Sequence, residues 1–87
     1  MKIKDNLMLR EIAGSWIVVP VGEMVVEFNG LINLNETGAF LWRKLADVTE
    51  MDDLVSGLLS EYDIDEVTAQ ADVCEFVEKL TEKGLLV

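Results

Sequence analysis

The sequence predicts a small α+β domain, in which an antiparallel sheet of three or four strands precedes three α-helices in a winged helix–turn–helix-like arrangement. Three observations carry that prediction. Residues before Asn35 alternate β-branched runs with Gly, Pro and Asn turn signals, and residues after it carry helical periodicity. The chain is 87 residues long, which allows one domain, residues 1–87.

The strands come first. Leu7-Met8-Leu9-Arg10-Glu11-Ile12-Ala13 predicts a first strand that stops at the turn signal Gly14-Ser15. Trp16-Ile17-Val18-Val19-Pro20-Val21 is rich in β-branched residues and predicts a second strand. Pro20 has no amide hydrogen, which puts it at a sheet edge or a strand end. After a turn at Gly22-Glu23, the runs Met24 to Phe28 and Leu31 to Leu34 flank Asn29-Gly30. Both residues of that pair tolerate positive φ, so the segment predicts a hairpin or the tip of a β-wing.

Asn35 caps the first helix, and Glu36 complements the positive end of its dipole. Ala39, Phe40, Trp42 and Leu45 give it an apolar surface. Gly38 lowers helix propensity in the first turn, which predicts close backbone packing there. For the second helix, Thr49-Glu50-Met51-Asp52 resembles a capping box. Met51, Leu54, Val55, Leu58, Leu59 and Tyr62 then form one stripe, with acidic and serine residues opposite. The third helix runs from Asp65 or Glu66 to about Lys83. Ala69, Val73, Phe76, Val77 and Leu80 form its main stripe, broadened by Val67, Ala71 and Cys74. Gly84 suits the C′ position, and Leu85-Leu86-Val87 should fold back on the core.

Composition excludes whole classes of function. Seven basic against 17 acidic residues give a net charge of −10, which opposes phosphate backbones and anionic membranes alike. With no histidine and one cysteine there is no His base, Cys–His pair, intramolecular disulfide or Cys/His zinc site. The longest apolar runs fall far short of the ~18–20 residues of a membrane span. Met1-Lys2-Ile3-Lys4-Asp5-Asn6 leads into no signal-peptide apolar region, so a cytoplasmic protein is expected.

The candidate chemical groups have simpler readings. Asp52-Asp53 and Asp63/Asp65/Glu66 could pair as acids or hold a cation, but the second cluster lacks the glycine turn and spacing of an EF-hand loop. Both read as solvated helix starts. Cys74 falls on the apolar side of the third helix and reads as a small buried hydrophobe. No glycine-rich run precedes a Lys-Ser/Thr pair. No catalytic residue, cofactor or metal site is expected. Trp16 and Trp42 read as core anchors, although either could border a groove. The residues do permit recognition by shape and backbone pairing. An uncovered strand offers N–H and C=O groups to an extended peptide, and a helix with a wide apolar face can make the second wall.

Leu34-Asn35-Glu36-Thr37-Gly38-Ala39-Phe40-Leu41-Trp42 resembles the PqqD-like family, named for a pyrroloquinoline-quinone biosynthesis protein. The resemblance continues through Glu61-Tyr62-Asp63-Ile64-Asp65, Asp72-Val73 with Phe76-Val77 and Leu80, and Gly84-Leu85-Leu86. Leu9-Arg10-Glu11-Ile12-Ala13-Gly14 and Val18-Val19-Pro20 also fit, so it spans nearly the whole chain. It implies a winged helix–turn–helix fold without DNA binding. It also implies a recognition element that holds the leader of a ribosomally made precursor peptide. The modifying enzyme served is expected to be a radical S-adenosylmethionine (radical SAM) protein or another maturase. In such domains the leader adds a strand to the sheet and packs on the third helix. By location, the peptide-binding residues expected here are Val25, Glu27, Leu31, Ile32, Asn33 and Leu34, with Val73, Phe76, Val77 and Leu80 on the helix. The Asn35 motif reads as structural.

Two other classes stay open on the sequence. A winged-helix DNA-binding protein would need an exposed basic recognition helix, and no Lys or Arg lies between Glu50 and Tyr62. An acidic adaptor without a peptide ligand would bind its partner in a strongly salt-dependent way. An uncovered sheet edge also allows either a monomer or a strand-swapped dimer.

Overall fold

The computed structural model describes residues 1–27 and 32–87, with residues 26 and 27 described by their backbone. β1 (Leu7–Ile12) and β2 (Ser15–Pro20) form an antiparallel hairpin with Leu9 opposite Val18 and Ile12 opposite Ser15. Ala13 and Gly14 make its turn, at φ 51° and 81°. Two consecutive positive φ values mark the tight hairpin turn whose twist matches the flanking strands. The turn therefore sits one residue earlier than expected, because Ser15 already pairs. Pro20 closes β2, where its missing amide costs no interior ladder bond.

β3 (Ile32–Leu34) pairs antiparallel with β2, setting Leu34 opposite Trp16 and Ile32 opposite Val18. The strand order is β1-β2-β3, so β3 is an outer strand. Opposed residues share a face. Leu9, Val18 and Ile32 therefore look toward the helices with Trp16 and Leu34, while Met8, Arg10, Ile17 and Asn33 lie on the other face.

The strand expected from Met24 to Phe28 is a single helical turn instead, α1 (Met24–Glu27). Gly22 turns the chain at φ 58°, and the Val21 and Gly22 carbonyls accept the Met24 and Val25 amides at 3.2 Å each. Those local bonds satisfy the amides that a strand would have needed a neighbour to pair. Met24 packs inward while Val25 is 58% exposed. β-propensity measures fit to a paired sheet surface, and here it yields to local hydrogen bonding. The expected hairpin at Asn29-Gly30 lies outside the described residues.

α2 (Glu36–Lys44) starts at Asn35, whose side-chain oxygen accepts the Gly38 amide at 2.8 Å and the Thr37 hydroxyl at 3.0 Å. α3 (Met51–Glu61) is capped one residue later than expected. Glu50 is the N-cap, and its amide reaches the Asp53 carboxylate at 3.4 Å. Thr49 is diverted, because its hydroxyl donates to the Lys44 and Asp47 carbonyls at 2.8 Å each and closes the α2–α3 connection. α3 buries Leu54 and Leu58 and leaves Leu59 at the surface.

α4 (Glu66–Glu82) is capped by Asp65, which accepts the Thr68 amide at 2.7 Å. Its inward residues are Ala69, Val73, Phe76 and Leu80, at i, i+4, i+7 and i+11. The apolar face is narrower than the sequence suggested. Val67 is 78% exposed, and Ala71 and Cys74 face solvent. Cys74 follows the buried Val73, and one step of about 100° around the helix turns it outward. Gly84 (φ 71°) then reverses the chain, with its amide on the Thr81 carbonyl and the Leu85 amide on the Leu80 carbonyl. This is the Schellman pattern, with buried Leu85 folding back on the core as expected. The last residues join the N-terminal segment through Lys4 amide to Leu85 carbonyl and Val87 amide to Lys2 carbonyl. The core between sheet and helices combines Val18 and Ile32 with Leu41, Leu45, Leu54, Leu58, Val73 and Leu80.

Candidate functional site

A cleft of about 240 Å³ runs between β3 and α4. Asn33 and Leu34 line it from the strand, and Thr37, Gly38 and Leu41 from α2. Asp72, Glu75, Phe76 and Lys79 form the α4 wall. Their spacing of i, i+3, i+4 and i+7 places all four on one face of the helix. Gly38 sets how closely the parts approach. A Cβ there would stand 3.0 Å from Asn35 Oδ1 and 3.4 Å from both Leu34 Cβ and the Phe76 ring. The ring thus rests against bare helix backbone, the close packing that Gly38 predicted.

Among the described residues, β3 pairs on one side with β2 and nothing pairs with its outer edge. Strand N–H and C=O groups point alternately to the two edges, so some of those of Ile32–Leu34 are directed outward. The cleft therefore combines a hydrogen-bonding strand edge, an apolar floor and a rim of two carboxylates and one ammonium.

The structure brings Asn33, Leu34 and Phe76 of the expected binding residues to this cleft. Ile32 is buried beneath the strand, and Val73 and Leu80 are fully enclosed in the core. Val77 is half-buried against that core. Val25 lies on α1 rather than on a strand, and Leu31 and the Glu27 side chain lie outside the described residues. The sequence reading missed Asp72, Glu75 and Lys79. The signal was present, because these residues share the helical face of Phe76, but weight given to the apolar stripe hid it.

A second cleft opens where β3 ends, lined in part by Trp16, Phe40, Tyr62 and Arg43. Phe40 and Tyr62 meet edge to face, with centroids 5.7 Å apart at 89°. The Arg43 guanidinium sits 4.4 Å from the Trp16 centroid, and the Lys44 ammonium 5.3 Å from that of Phe40. Partial burial and then the charges of Glu36 and Glu61 push the Tyr62 hydroxyl above its ordinary pKa, while Arg43 opposes them. Trp42, by contrast, is a core residue. Among the described residues no group of acidic or thiol side chains is arranged to hold a metal ion.

Residues 16–86 match the family model for coenzyme PQQ synthesis protein D (PqqD). No curated protein matches the chain significantly. Among solved structures, the fold is similar to that of TbiB1 in complex with the TbiA(beta) leader peptide. That likeness has a TM-score of 0.76 at 23% identity and covers 99% of this chain and 94% of the other. It is also similar to lasso peptide synthetase B1 complexed with the leader peptide, with a TM-score of 0.73 at 21% identity, covering 97% and 93%.

Proposed function

The chain belongs to the PqqD family, and on that premise we propose that it is a non-catalytic peptide chaperone. Its ligand is the leader segment of a ribosomally made precursor peptide, which joins the sheet as an added strand along β3 and is covered by α4. The observation that carries this reading is the outer edge of β3 facing α4 across a cleft floored at Gly38. Such an edge supplies affinity through main-chain bonds, and the cleft supplies specificity by accepting alternate side chains of the extended peptide. Asn33, Leu34 and Phe76 touch the peptide. Ile32, Val73 and Leu80 hold the two walls in place from the core side. The two similar structures were solved with leader peptides, which supports the same ligand class here.

The peptide is handed to a modifying enzyme, a radical SAM protein or another maturase. Winged-helix shape does not bring DNA binding with it, because α3 carries no Lys or Arg. The test is a ¹⁵N–¹H titration with synthetic precursor peptides from the genomic neighbourhood. Saturable shifts at micromolar peptide are expected along Ile32–Leu34 and on the α4 face bearing Phe76. Saturation with shifts confined to β1 or α3, or no saturable binding by any precursor, would overturn the proposal.

A further inference from the structure

We propose that the peptide trough continues past the end of β3 into the aromatic cleft, which receives a lysine or arginine side chain of the bound peptide. This deepens the peptide-binding reading above and rests on it. Asn33, Leu34 and Asn35 line both clefts, so the two adjoin along this segment, one toward α4 and the other toward Trp16 of β2. An extended peptide advances about 3.3 Å per residue with side chains alternating between its two faces, so a strand lying along β3 can direct a side chain beyond the strand's end.

The chemistry of the second cleft selects a cation with an apolar stem. Trp16, Phe40 and Tyr62 present partly exposed rings there. Two of those rings already hold cations of this chain, Arg43 on Trp16 and Lys44 on Phe40, so their faces suit positive charge. Glu36 and Glu61 flank Tyr62, and Glu11 joins them in the lining. Arg43 is the one cation among the described lining residues and is already engaged with Trp16. Even with Lys44 on the Phe40 ring counted beside Arg43, three carboxylates stand against two cations of this chain, so negative charge is in excess. A bare metal ion does not fit, since the carboxylates form no coordinating group. An acidic peptide side chain would meet three carboxylates. Lysine and arginine bring methylenes for the rings and a charged head for the carboxylates.

The experiment is selection from a displayed library of random peptides about a dozen residues long, run against the wild-type protein and the E36Q/E61Q variant. Wild type should enrich sequences with Lys or Arg at a fixed distance from an apolar position. The variant should lose that preference and bind the selected peptides about three- to tenfold more weakly, while still showing groove shifts at Ile32–Leu34. E61Q alone, at an exposed helix end, gives the same comparison with less disturbance of the α2 cap. Peptides that occupy the β3–α4 groove with no basic preference would overturn this inference and leave the peptide-binding reading standing. So would an equal basic preference in both proteins. A library that yields no binder to the groove would overturn both.

Discussion

Replacing Asn35 by alanine tests whether the Leu34–Trp42 motif acts on the fold. One oxygen, Asn35 Oδ1, accepts the Gly38 amide at 2.8 Å and the Thr37 hydroxyl at 3.0 Å. Losing an N-cap of this kind costs about 1 kcal/mol, within a range of roughly 0.5–2. The Thr37 hydroxyl adds little, because that bond is exposed and water replaces it. For a domain of this size, about 1 kcal/mol lowers the thermal midpoint by roughly 4–8 °C. With a urea slope near 1 kcal/mol per M, it lowers the urea midpoint by about 1 M. Asn35→Asp keeps the acceptor and adds a charge favourable to the helix N-terminus, so it should stay within a few tenths of a kcal/mol of wild type. Urea unfolding followed by circular dichroism reads both variants. An Asn35→Ala protein as stable as wild type would refute the reasoning, and so would an Asn35→Asp protein as weak as Asn35→Ala.

Three further outcomes follow from particular residues. Ala13 holds φ 51°, a left-handed conformation that strains alanine but that asparagine tolerates by bonding locally to the backbone; Ala13→Asn should raise stability by about 0.5–1 kcal/mol in the same urea assay. Asp65 accepts the Thr68 amide, and that bond holds its carboxyl below the ordinary value of 3.8. A depressed folded-state pKa stabilises the fold above the unfolded value, and the contribution fades as pH falls through the folded value. Asp65→Asn should therefore show a shallower loss of urea midpoint below about pH 4 than wild type, and equal slopes would contradict the cap assignment. Leu85 is fully buried at the Schellman turn. Leu85→Ala should cost about 2–5 kcal/mol and lower the hydrogen-exchange protection of the Lys4 amide, which bonds the Leu85 carbonyl.

Much of this protein is fixed by signals that act within a few residues. Asn35 before Glu36, Asp65 before Thr68 and Gly84 after Lys83 each mark a helix end, because caps are local hydrogen-bond arrangements. Gly38 also announced the close contact found there, since a missing Cβ in a helix is costly unless something needs the space. Local reading failed where two local solutions competed. Met24–Glu27 has strand composition, but the Val21 and Gly22 carbonyls were nearer than any partner strand. The capping box moved one residue because Thr49 found better acceptors across the α2–α3 connection. The groove itself was decided only by tertiary structure. Asn33 and Asp72 stand far apart in the chain and meet only because α4 packs its Val73–Leu80 face onto the core. That packing turns Phe76, with Asp72, Glu75 and Lys79, toward the edge of β3. Sequence periodicity determines that a helix has an apolar face, but the neighbours it packs against determine which rim of that face becomes a wall.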